Sequence, residues 1–260
     1  MINTGERADR SWWALVRRTT AASWWQLLLV HTAVAGAFLG LEKLSTQLLR
    51  SGELSGAHLL TVVAGGLVTA WGWSVSLRIL DGGGLLRALR PAPLRLGRLW
   101  CWLVALNISG LTVVVVMSDL TTYSTFLISP EMKAIQLLTL YLAFAGALLP
   151  MAVLLEGRGI VRGLRLSHGG WRTVLRVLPV LLLGWIVSGV MNERETLALV
   201  VYPRPTGIVA EQVERFLVEV GQGALTAILL YAAYRLAAPK PNPNPATHDD
   251  HHPEYMDHVG

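Results

Sequence analysis

Cysteine is nearly missing from this chain. Cys101 stands alone, so neither a disulfide framework nor a cysteine metal centre forms within one copy. Charge is scarce too: only 15% of the 260 residues are Asp, Glu, Lys or Arg, against roughly a quarter in soluble domains. Catalytic fingerprints are also lacking. Asp81 is followed by Gly82, Gly83 and Gly84 but not by the Lys and Ser or Thr of a phosphate loop, and the stretch reads as a turn. There is no His-Glu-x-x-His, and Gly72 to Ser76 lacks the second glycine of a nucleophile elbow. No acid, base and nucleophile set converges in sequence, so the expectation is a protein that is not an enzyme and uses no cofactor.

What the chain does contain is oil. Hydrophobic residues make up 53% of it and the mean hydropathy is +0.47. Uncharged runs cover residues 19–41, 54–77, 99–118, 134–155, 177–192 and 220–234. About 20 apolar residues at 1.5 Å rise match a hydrocarbon core of roughly 30 Å. The first four runs reach that length, and the fifth and sixth do so once Arg176, Glu219 and Arg235 are allowed to snorkel. Backbone groups inside lipid must be paired within the segment, and no run alternates strictly, so helices are expected rather than a barrel. The fold class predicted is therefore all-α, a polytopic transmembrane bundle of about six spans. Residues 1–22 read as a cytoplasmic interfacial lead, 23–238 as the transmembrane domain and 239–260 as a disordered cytoplasmic tail.

Orientation follows from the bias of Lys and Arg between alternate loops. The N-terminal segment, the second and fourth loops and the tail hold 16 of them, against 6 in the remaining loops. The richer set should face the cytoplasm, which puts both termini inside a bacterial plasma membrane. Nine of the ten tryptophans lie near that expected boundary, among them Trp12, Trp24, Trp71, Trp100 and Trp171. Arg17 and Arg18 before an apolar run, with Ala33 to Ala35 beyond, resemble a signal peptide. The run from Thr19 to Leu41 is nevertheless long enough to span, whereas a signal core is about 7 to 15 residues.

A basic amphipathic lead, a Trp and an apolar run recur from Ala14, Ala88 and Gly163. Three helical hairpins in series would explain this, and so would boundary chemistry shared by many spans. In the fourth loop Arg158, Arg162, Arg165, Arg172 and Arg176 stand at steps that align on one helical face, with Ile160, Leu164, Trp171, Val174 and Leu175 away from it. Such a segment lies flat on a membrane with guanidinium groups toward lipid phosphate. Gly169 and Gly170 make two short helices with a bend as acceptable as one. The loop from Glu193 to Glu219 is acid-rich, with Pro203 and Pro205 followed by an amphipathic stretch from Ile208 to Val220.

Within the runs the polar candidates are His31, midway along the first, Asn107 in the third and, more weakly, His58. Ionisable groups inside a bilayer are candidates for function, yet none of the six runs holds Asp or Glu, so interhelical hydrogen bonding is the expectation. Pro150 and Pro179 are expected to kink helices. His248, His251, His252 and His258 with Asp249, Asp250 and Asp257 offer metal-ligand types, but without a packed scaffold they read as a solvated tail.

The stretch from Tyr141 to Val190 resembles a recurring element of bacterial multi-pass proteins, similar to the membrane domain attached to glycerophosphodiester phosphodiesterases. The matching positions are Pro150, Glu156, Gly157, Leu164, Ser167, Trp171 and Arg172. The resemblance implies a six-span membrane protein, and without an attached phosphodiesterase domain it carries no hydrolysis. Expected partners are membrane lipids rather than nucleic acid, since the net charge of +5 sits in short loops between apolar runs. The function expected is organisation of lipid or of a membrane partner through the Arg-rich segments. The alternative is the permease half of an exporter working with a separate ATPase.

Overall fold

The computed structural model describes residues 11–90, 92–118, 130–192 and 208–238, and what it describes is helix joined by turns. The elements are α1 (Trp12–Arg50), α2 (Leu54–Leu80), α3 (Leu85–Ala88), α4 (Pro93–Ser118), α5 (Pro130–Gly146), α6 (Leu149–Leu154), α7 (Ile160–Ser167), α8 (Trp171–Asn192) and α9 (Ile208–Ala237). Each of the six uncharged runs is helical, the fourth being divided between α5 and α6. Among the described residues three helices are long and apolar enough to cross a membrane: Trp12–Arg50, Gly56–Leu80 and Gln212–Ala237. The tail, the segment 193–207 and the first ten residues lie outside the described residues, and with them the histidines of the tail.

Local chemistry sets the ends. Ser11 caps α1, its hydroxyl accepting from the Ala14 amide at 3.1 Å. The helix then runs unbroken for 39 residues, about 58 Å at 1.5 Å per residue. Residues 12–22, set apart in the sequence as an interfacial lead, are the first turns of that same helix. Gly82 stops α2 by taking φ +90°, and the Gly83 amide donates to the Arg78 carbonyl at 2.8 Å. The Asp81 to Gly84 stretch is thus the turn expected. Pro150 falls in the first turn of α6, where its missing amide is harmless and breaks continuity with α5.

Packing closes the long helices into a ring: α2 lies against α1 and α4, α9 against α1 and α8, and α5 against α8 and α4. Small residues let neighbours approach. Gly66 of α2 meets Trp100 and Val104 of α4, and Gly72 meets Val34 of α1. Trp100 Nε1 also donates to the Val63 carbonyl at 2.8 Å. Trp71, Trp73, Trp100 and Trp102 accordingly pack against the core, whereas Trp13, Trp24, Trp25 and Trp171 face outward. Of the four that pack inward, Trp100 is the one seated against a glycine, Gly66, where the ring buries its area.

The core is not central. Buried residues concentrate at Val75 to Leu80, Ala147 to Leu154 and Ala227 to Tyr234, toward the end of the bundle that carries most of the arginines, called here the basic end. Along α1 the last buried residue is Ala35, so the opposite, far half is looser. Large apolar side chains there, including Leu44, Leu59, Val213 and Leu217, point out of the bundle.

Candidate functional sites at the two ends of the bundle

At the basic end, α9 clasps the turns that follow α2 and α6. Tyr231 donates to Asp81 at 3.1 Å and Tyr234 to Glu156 at 3.2 Å, while Arg235 sits 3.5 Å from Asp81. From α4, Arg95 donates to the Leu154 carbonyl at 2.8 Å and Arg98 to that of Gly157 at 2.7 Å; Arg78 donates to the Arg90 carbonyl. Gly157 reverses the chain with φ +70°, a conformation most side chains avoid, and this points the carbonyl toward Arg98.

Arg162 grips Glu156 with two hydrogen bonds, 2.6 Å from Nε and 3.1 Å from Nη2, and both side chains are only about a fifth exposed. The Arg162 hydrogen bonds hold the Glu156 carboxyl below its ordinary range against the opposing effect of burial, with further help from the Arg162 charge, Tyr234 and Arg158. This changes the reading of the arginine face. Arg158 precedes α7, Arg162 is spent on Glu156, and Gly169 and Gly170 separate α7 from α8, so the five do not share one helix. The side that α7 buries is Gly163, Leu166 and Ser167. Gly163 passes so close to Leu149 that an added Cβ would stand 3.0 Å from its Cα, and the Ser167 hydroxyl donates to the Ala145 carbonyl at 3.3 Å. Arg158, Arg165 and Arg172 remain exposed, Arg176 is half-buried, and Arg172 leans over Trp171 at 5.9 Å. Val161, Trp171 and Leu175 are exposed in the same elbow. The seven positions that carry the family resemblance therefore form a Pro-initiated helix, a glycine turn, a packed surface helix and the start of α8.

Toward the far end, a cavity of about 820 Å³ opens between α1, α2 and α9. His31 lies in its wall with Nε2 3.4 Å from the buried Ser76 hydroxyl of α2. Gly223 of α9 faces the ring so closely that any side chain there would overlap it. Eleven residues farther along α1, about 16 Å at 1.5 Å per residue, Glu42 also lines the cavity. Arg215 of α9 stands 3.7 Å from Glu42 and donates from Nε to Glu219 at 3.1 Å. Gln222, another lining residue, donates to the Gly184 carbonyl of α8 at 3.3 Å. Asn107 is on the exposed side of α4 and does not line the cavity, so the two intramembrane polar candidates are not brought together. Glu42, Arg215 and Glu219 were not singled out as a site: Glu42 and Glu219 border uncharged runs, and Glu219 was read only as a snorkelling residue. Their only signal was an i, i+4 Arg–Glu pair before the sixth run.

No protein-family model, curated protein or solved structure matches the chain. Among the described residues no group of three or more His, Cys, Asp or Glu is placed to hold a metal ion.

Proposed function

We propose that this is a non-enzymatic integral membrane protein that crosses the plasma membrane six times, keeps both termini and its basic end in the cytoplasm, and organises anionic lipid around that end. The observation that carries the reading is the elbow between α7 and α8, where exposed Arg158, Arg165 and Arg172 adjoin exposed Val161, Trp171 and Leu175. Guanidinium and apolar groups left open side by side suit the level at which phosphate meets acyl chain. Six crossings are supported by the helical state of all six runs and by the ring in which the long helices pack. Orientation is supported by the excess of arginine at one end. The test is the anionic phospholipid that remains on the protein purified in mild detergent. Replacing Arg158, Arg165 and Arg172 with Gln should deplete it at moderate salt, and unchanged retention contradicts the proposal.

A second reading, a transport component working with a separate ATPase, is favoured by one feature, the cavity that runs down to His31. Co-purification of an ATPase supports it.

A further inference from the structure

The geometry points to the cavity between α1, α2 and α9 as a binding site for an amphipathic monocation, one positive charge carried on an apolar body. A volume of about 820 Å³ lies in the range of small-molecule sites, which are mostly apolar with a few placed polar groups. The walls have that character. Val34, Phe38, Leu39 and Trp73 give the cavity apolar and aromatic surface, and charge is confined to Glu42, Arg215 and Glu219.

The sign of the ligand follows from those three residues. One guanidinium faces two carboxylates, at 3.7 Å and 3.1 Å, leaving a formal surplus of one negative charge. Lys43, Arg50, Glu53 and Glu214, also near this end of α1, α2 and α9, cancel one another, and Glu211 in the first turn of α9 adds a further negative charge, so the sign of the surplus stands. The side chains of Arg215, Glu42 and Glu219 stay 49%, 56% and 38% exposed, so the carboxylates have room for another donor. An anion meets a repelling mouth, a neutral molecule gains nothing from it, and a single cation balances it. Phe38 and Trp73 also bring aromatic rings to the lining, the side-chain type that attracts a cation. His31, about 16 Å from Glu42 along α1, places a polar group where the apolar body would end.

The experiment uses the full-length protein in non-ionic detergent and equilibrium binding of tetraphenylphosphonium, compared with tetraphenylborate, which has the same shape and opposite charge. Saturable binding of the cation without binding of the anion is expected; equal binding of both overturns the proposal. Replacing both Glu42 and Glu219 with Gln should weaken the cation about tenfold, in keeping with loss of unit charges a few ångströms away in a half-solvated site. Arg215→Gln should tighten it, a gain that misfolding cannot imitate, and a weakened or unchanged affinity in that variant contradicts the assignment. Displacement of the probe by octylammonium identifies a free amine as the natural class and displacement by an ethanolamine-headed phospholipid a lipid-borne one. Either supports the proposal, and displacement by neither contradicts it.

Discussion

Glu156 and Arg162 form a two-pronged ion pair, 2.6 Å and 3.1 Å, that joins the turn after α6 to the surface helix α7. Because Tyr234 of α9 donates to the same carboxylate, the pair fastens the last helix of the ring to the middle of the chain. Glu156→Gln should lower the stability of the detergent-solubilised protein by about 2 kcal/mol, the usual worth of hydrogen bonds to a charged group, seen as a lower Tm.

The same carboxylate sets a pH dependence. Its folded-state value is lowered from 4.5, so the pair contributes fully at pH above that ordinary value. Below it the unfolded chain takes up a proton that the folded protein refuses, and stability declines until pH has passed through the lowered folded value. Thermal melts from about pH 6 down to about pH 3 should show the wild type losing more Tm than Glu156→Gln. Parallel curves would show that the pair does not contribute.

Gly163 is needed for close approach rather than for conformation. Gly163→Val should cost about 1–3 kcal/mol, as overpacking does, because its side chain meets the backbone of Leu149. The expected readout is a lower Tm together with faster proteolysis in the segment 155–170. An unchanged melt would show that α7 is not seated on α6.

Trp100→Phe keeps the ring against Gly66 but removes the donor to the Val63 carbonyl. A loss of about 1 kcal/mol is expected. A Tm equal to that of the wild type would place this indole outside the α2–α4 interface.

The helical framework was legible because its determinants are local. Uncharged runs, Pro150 just after a break, and Gly169 with Gly170 at a bend each act within a few residues. What could not be read is what depends on meetings across the fold. Treating charge as the end of a run hid Glu42 and Glu219, since α1 continues to Arg50 and α9 begins at Ile208. Periodicity aligned five arginines on one face, but Glu156, outside that pattern, takes Arg162 away. His31 was singled out by its place in an apolar run, whereas its partners Ser76 and Gly223 belong to other helices. Position at a run end does not say which way a tryptophan faces: Trp13 and Trp171 point outward, whereas Trp100 packs against Gly66 of α2.

The most direct measurement labels single cysteines in intact cells with a membrane-impermeant maleimide, after replacing Cys101 with Ser. Cysteines are placed at Ser11, at Gly52 between α1 and α2, and at Ala238. Labelling from outside at Gly52 alone, with Ser11 and Ala238 reacting only after lysis, is the result the account predicts. Ser11 and Ala238 reacting from opposite sides, or all three reacting alike, would contradict it.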